Sequence, residues 1–263
     1  MLRSMVCRYQ DFFTPWYEKW SQRMHLTDHL HRKGWEWCAI VQTLEERDML
    51  RGGRAGCGFA VGREPLTSLF ASLDTKITAT DAPANDVAEG WVATNQHATR
   101  LEDLYRAQIL PREVFQENVR FQPADMRDPA TYPRGQYDFI WSSCALEHLG
   151  TLEAGHRFVL DSTDKLLKPK GVAVHTTEFN ISSNDKTIEI GPSVVYRRRD
   201  LDRLEASLRR IRCGMIPVAY DFGMAEEDLN FDFPPFGSHG RPHIKLLFRD
   251  YVITSALIII HKG

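Results

Sequence analysis

The residues able to do chemistry in this chain fall where strand-like segments end. Lys76 to Thr80 is β-branched and ends at Asp81, and Val119 to Phe121 leads to Asp125 and Met126. Tyr137 to Trp141 ends at Ser142 and Ser143, and Gly171 to Thr177 ends at Glu178. Ahead of them, the segment from Gly53 to Gly62 contains Gly56-Cys57-Gly58, with a third glycine at Gly62. Glycines at such a turn let the chain reverse sharply and let a nucleoside lie against main chain. Asp81 follows Gly56 by 25 residues, near the spacing at which a carboxylate accepts two hydrogen bonds from ribose hydroxyls. An Asp that only caps the following turn is the plainer alternative. Asp125 suits the exocyclic amine of adenine, and Met126 suits the face of its ring.

The elements that must hold these groups alternate. Helix-like stretches run over Asp86 to Ile109, over Leu152 to Leu167 before Pro169 and Gly171, and over Arg199 to Ile211 with Leu201, Leu204 and Leu208 in helical register. Strands alternating with helices predict βαβ units, a parallel sheet and helices on both faces. Met215 to Tyr220 and Tyr251 to His261 are two further strands, expected to form an antiparallel pair at the end of the chain. The long linker between them has no helical pattern, and a loop of that length in a compact domain suits a lid or cover. Pro15 to Leu50 reads as helices with an apolar stripe at Trp35, Trp37, Ile40, Val41 and Leu44, docked on the sheet or capping its cleft. The expected division is a helical cap over residues 1–50 and an α/β domain over 51–263.

Composition removes other classes. Thirty-three basic and 35 acidic residues leave a charge of −2, so no global field attracts nucleic acid or an anionic membrane. Five scattered cysteines without a C-x-x-C pair argue against a disulfide framework or a thiolate zinc site and fit a reducing, cytoplasmic setting. Cys144 reads as a small buried residue rather than a nucleophile. The longest apolar run, Ala256 to Ile260, is far short of the roughly 20 residues of a spanning helix, and no signal peptide is visible. His148, His175, Glu178 and His243 lack metal-site spacing, so no metal is expected.

The ordered set Ala55-Gly56-Cys57-Gly58, Asp81, Asp125-Met126, then the run from Tyr137 through Ser142-Ser143-Cys144-Ala145 to Leu146-Glu147-His148-Leu149, and Leu166-Leu167-Lys168-Pro169-Lys170-Gly171 resembles the class I S-adenosylmethionine-dependent methyltransferases over roughly residues 50 to 263. The resemblance implies a Rossmann-like fold with a mostly parallel seven-stranded sheet and an antiparallel last strand. It implies S-adenosylmethionine as donor, held by Gly56, Gly58 and Gly62, by Asp81 on the ribose, by Asp125 and Met126 at the adenine, and with Ser142 and Ser143 near the sulfur.

Two departures stand out: Arg54 occupies the place of the usual acidic residue two before the first glycine, and Ala60 interrupts the glycine series. The donor's amino-acid end would then be held otherwise, by Glu64 or by the cap. His148, on the turn after the fourth strand, is the candidate general base for an alcohol acceptor, with local packing as the plainer role. Glu178, His239 and His243 are candidate acceptor contacts. Asp232-Phe233-Pro234-Pro235-Phe236 imitates a nitrogen-acceptor motif but lies between the last two strands, so a hydroxyl on a small molecule or glycan is the expected acceptor. A nicotinamide-dinucleotide oxidoreductase and a donor-binding module without catalysis are the alternatives, the former weakened by the late third glycine and by Pro65.

Overall fold

A computed structural model describes residues 1–27, 30–83, 97–133 and 136–263. Its elements in chain order are β1 (Met5–Val6), α1 (Pro15–Arg23), α2 (Arg32–Glu45), β2 (Ala55–Phe59), α3 (Leu66–Ala71), β3 (Lys76–Asp81), α4 (Arg112–Asn118), β4 (Val119–Pro123) and β5 (Tyr137–Ser143). They continue with α5 (Leu152–Leu166), β6 (Leu167–Asn180), α6 (Arg198–Arg210), β7 (Cys213–Met215), α7 (Glu226–Leu229), β8 (Leu246–Phe248) and β9 (Tyr251–Lys262). One sheet runs β1-β9-β6-β5-β2-β3-β4, with β7 and β8 also paired to β9. From β4 to β6 every pairing is parallel, and β9 is antiparallel to β6. The expected Rossmann-like architecture is therefore present, with its antiparallel last strand.

Each strand contributes alternate residues to two apolar layers, as the two-residue period requires. Phe139, Trp141, Val172, Val174, Leu257 and Ile259 face α2, α3 and α4. Ile140, Ala173, Ile258 and Ile260 face Phe158 and Leu166 of α5 and Leu201, Leu204 and Leu208 of α6. The layer that holds Phe139 and Trp141 also contains Trp20, Trp35 and Ile40, so the first 50 residues share the core of the rest, and β1 joins the sheet through Met5 opposite Leu257. Among the described residues no helix is long and apolar enough to cross a membrane.

At the chain end the expected antiparallel pairing is present, β7 against β9, but it is short and is not a hairpin. Met215 to Tyr220 does not form a hairpin with β9; β7 stops at Met215, since Pro217 has no N–H to continue a ladder. The hairpin partner of β9 is β8, joined through Arg249 and Asp250, with Arg249 at φ 53° in the turn. The helix expected over Asp86 to Ile109 lies outside the described residues as far as position 96. Beyond it the chain makes only a 3-10 turn, Leu101–Leu104, whose Asp103 carboxylate accepts from the N–H groups of Thr99 and Arg100 at 3.0 and 3.3 Å.

Gly56 and Gly58 lie inside β2, not at its tip. A Cβ on Gly56 would stand 2.2 Å from the Phe139 ring, and one on Gly58 would stand 2.3 Å from Trp141. These glycines admit two aromatic rings from β5 across the sheet face, a packing role in place of the ligand turn read from the sequence. Gly58→Ala is expected to lower stability by about 1–3 kcal/mol through overpacking, measured as a shift of the urea midpoint without a change in slope.

Candidate active site

The crevice of an open α/β sheet lies where strand order reverses, here between the carboxyl ends of β2 and β5. The turn after β2 is Ala60-Val61-Gly62, with φ 49° at Ala60 and 50° at Gly62. Ala60 thus holds a left-handed conformation that favours glycine, local strain of a kind concentrated at binding sites. Gly62 N–H donates to Asp81 Oδ2 at 3.1 Å, tying the tips of β2 and β3 together. Asp81 also accepts from the N–H groups of Ala98 and Ala82, at 3.0 and 2.8 Å. Burial raises its pKa, and those amides oppose the rise.

Arg54 is at the other end of β2. It pairs with Asp138 Oδ1 at 2.9 Å, and Lys168 meets the second oxygen of that carboxylate at 2.8 Å, so this departure stands across the sheet from the crevice. Glu64, just past the turn, is buried, and its Oε2 has no hydrogen-bond partner among the described residues. Burial pushes its pKa up to about 8 against the pull of Lys33.

The strongest concentration of charge comes from α2. His31 caps that helix by accepting from Lys33 N–H at 3.0 Å. The i, i+3 and i+4 spacing then places Arg32, Lys33 and Glu36 on one face. Glu36 has no solvent exposure, and its carboxylate accepts from Lys33 Nζ at 3.1 Å, Ser143 Oγ at 3.1 Å, Cys144 Sγ at 3.1 Å, Thr176 Oγ1 at 3.4 Å and Ser255 Oγ. Burial works against the charged form, but Lys33, Arg32 and these bonds outweigh it and hold the pKa down at about 2. Arg32 spans from Glu36, at 3.5 Å, to Ser255 Oγ, at 3.0 Å, and bonds Glu178 at the end of β6.

Glu147 completes the group. It sits in the 3-10 turn Leu146–His148 after β5 and is fully buried, with Thr177 Oγ1 donating to one oxygen at 3.1 Å. Its other oxygen, Oε1, has no partner among the described residues, and neither has Glu178 Oε2. Burial, with Glu147 and Glu36 nearby, raises the Glu178 pKa to about 7 in spite of Arg32. One oxygen from each of these two carboxylates and the Cys144 sulfur lie within 4.8 Å of one another.

The residues singled out in the sequence are divided by this geometry. Asp81, Gly62, Ser143 and Glu178 reach the crevice. Ser142 turns to the opposite face, where its Oγ is 2.8 Å from His175 Nδ1, in a histidine that burial keeps neutral. Asp125 is held by a bidentate pair with Arg127, at 2.9 and 2.7 Å, which lowers its pKa, and Met126 is buried in the apolar cluster with Tyr132. His148 Nδ1 is 2.8 Å from the Pro192 carbonyl oxygen and 3.3 Å from Ser193 Oγ. His239 stacks on Phe233 in the exposed part of the linker. His243 bonds Asp232 at 2.9 Å and stacks on His31, while its backbone pairs with Leu30 and Arg32, so the linker is laced to the start of α2.

Arg32, Lys33, Glu36 and Glu147 were not singled out in the sequence. For the first three the available signal was a charged glutamate between two tryptophans, one turn after Arg32 and Lys33; Glu147 gave none beyond its place in the Leu-Glu-His-Leu segment.

No family model and no curated protein matches the sequence. Solved structures do match its fold. Magnesium protoporphyrin IX methyltransferase from Synechocystis PCC 6803, with bound SAH, is 10% identical over 96% of this chain and 97% of that one, at a TM-score of 0.50. The glycopeptide N-methyltransferase MtfA, complexed with S-adenosyl-L-methionine, is 13% identical over 87% and 94%, at 0.50. The [4+2]-cyclase SpnF is 14% identical over 86% and 81%, at 0.51. The chain has the class I methyltransferase fold, and the cyclase among its neighbours shows that the fold alone does not name a reaction.

Glu36 is a carboxylate whose folded pKa lies below the unfolded value of about 4.3, so its contribution is present above that pH and is lost as pH falls toward about 2. Glu36→Gln is expected to cost about 3–5 kcal/mol at neutral pH, as for a broken buried pair. The gap to wild type should narrow between about pH 4.3 and 2 in denaturation curves.

Proposed function

We propose that this protein, built on the class I methyltransferase fold, transfers a methyl group from S-adenosylmethionine to a hydroxyl of a small molecule or glycan. The observation that carries the reading is the pairing, in one crevice, of a strained Ala60–Gly62 turn clasped by Asp81 with a buried, partly unpartnered set of carboxylates. The residues present fit the donor. Asp81 Oδ2 is filled by the amides of Gly62 and Ala98, but Oδ1 accepts only from Ala82 and keeps a lone pair for a ribose hydroxyl. Glu64 Oε2, buried and unpartnered, suits the donor's ammonium group, in the role that Arg54 is too remote to fill. Asp125 and Met126 are the proposed adenine edge, which requires Asp125 to share its Arg127 pair.

When bound, the donor supplies an activated methyl group on a sulfonium. The protein's part is alignment, since holding a nucleophile at near-attack distance is worth roughly 7–11 kcal/mol. Helix α2 and the linker stand over the crevice and restrict water, while Ser143, fixed by Glu36, lies at its floor. The geometry disfavours a dinucleotide: the Gly62 N–H that would meet a pyrophosphate is occupied by Asp81, and α3 has only six residues behind Pro65.

Calorimetric titration with S-adenosylmethionine, S-adenosylhomocysteine and NAD tests the reading. Micromolar binding of the first two is expected, and binding of NAD alone would overturn it. Asp81→Ala should weaken S-adenosylhomocysteine at least about tenfold, or ~1.4 kcal/mol, whereas Arg54→Ala should leave it unchanged. Binding of the donor with no methyl transfer to any hydroxyl compound would favour a module that has lost catalysis.

A further inference from the structure

We propose that Glu147 and Glu178 together seat a vicinal diol of the acceptor, with Glu178 taking the proton of the hydroxyl that is methylated. This rests on the methyl-transfer reading above and adds to it the acceptor's class and its base. Two buried oxygens, Glu147 Oε1 and Glu178 Oε2, have no hydrogen-bond donor among the described residues. A buried acceptor without a donor costs on the order of 1–3 kcal/mol, more when charged, so a ligand that supplies donors gains what the protein forgoes. The two carboxylates come from adjacent strand ends, with an oxygen of each within 4.8 Å of the other, close enough for neighbouring hydroxyls to reach one each.

Charge decides among the ligands that could fill such a gap. A divalent cation or an ammonium group would also satisfy two carboxylates. Arg32, however, already bonds Glu178 and lies 3.8 Å from the Cys144 sulfur, and Lys33 stands on the other side of Glu36. An added cation would meet two fixed positive charges, and Cys144, whose pKa burial raises, is a poor thiolate donor for a metal. Neutral donors carry no such penalty.

Glu178 titrates near neutrality, raised by burial, Glu147 and Glu36 and opposed by Arg32, which suits a base that must gain a proton and release it. In the transfer, Glu178 accepts the hydroxyl proton as the oxygen bonds to the methyl carbon, and the carbon–sulfur bond breaks with its pair remaining on sulfur. His148, bonded to the Pro192 carbonyl, has no part in this step.

The test uses the full chain saturated with S-adenosylhomocysteine, whose binding is measured first and independently reports on the donor reading. NMR titration with cis-1,2-cyclohexanediol, cyclohexanol, cyclohexylamine and Zn²⁺ then compares the four ligand chemistries. The diol is expected to bind about tenfold or more tighter than cyclohexanol, as one added bond to a charged group would give. Glu147→Gln and Glu178→Gln should each bring that ratio close to one while leaving S-adenosylhomocysteine affinity unchanged, which also shows that the variants fold. Equal binding of diol and cyclohexanol, or preferential binding of the amine or of Zn²⁺ that either variant abolishes, would overturn the proposal.

Discussion

The carboxylate of Glu36 is the point on which the arrangement of this molecule depends. It is a charge with no solvent contact, stable only because α2 supplies Lys33 and Arg32, three strands supply Ser143, Thr176 and Ser255, and the residue after β5 supplies the Cys144 thiol. Removing a carboxylate from water costs several kcal/mol, a cost offset only when nearly every lone pair is met. The number of separate donors here means that the ion holds the helix to β5, β6 and β9 in one relative position. An apolar side chain could fill the same space, but it would not specify which residues of the strands must lie under α2.

That constraint divides the crevice. On one side, Asp81 and Gly62 draw the ends of β3 and β2 together. On the other, Arg32 reaches Glu178 and leaves one oxygen of the latter uncovered, beside Glu147. The first half is built largely from main-chain amides, the second from side chains. Main-chain geometry suits a ligand whose shape does not vary, and side chains suit one that differs between proteins of the same fold, in keeping with the varied reactions of the structural neighbours.

Much of this was legible in the sequence because its signals are local. The β-branched runs before Asp81 and Glu178, the aromatic run before Ser142, and the leucine spacing of α6 dictate their elements directly, and the order of strands and helices dictates the sheet. The site was less legible because its central contacts are not local. Glu36 and Ser255 stand more than two hundred positions apart, and nothing in the Trp-Glu-Trp triplet announces that its middle residue points inward. Gly56 and Gly58 misled for a related reason: a glycine that makes room for Phe139 looks, in sequence, the same as one that makes room for a ligand. The Leu-Glu-His-Leu segment drew attention to its imidazole, while the backbone turn buries the carboxylate beside it.

Strand β9 has one long partner, β6, on one edge and three short ones, β8, β1 and β7, in succession along the other. The first strand described and the last are thus hydrogen-bonded neighbours, so β1 has no ladder to join until nearly all of the described chain has left the ribosome. During synthesis the parallel strands from β2 to β6 can assemble early, but β6 would present an open edge of alternating Val172, Val174 and Thr176 to other nascent chains. The interval between the emergence of β6 and that of β9 is thus the time at which that edge is open to unwanted pairing.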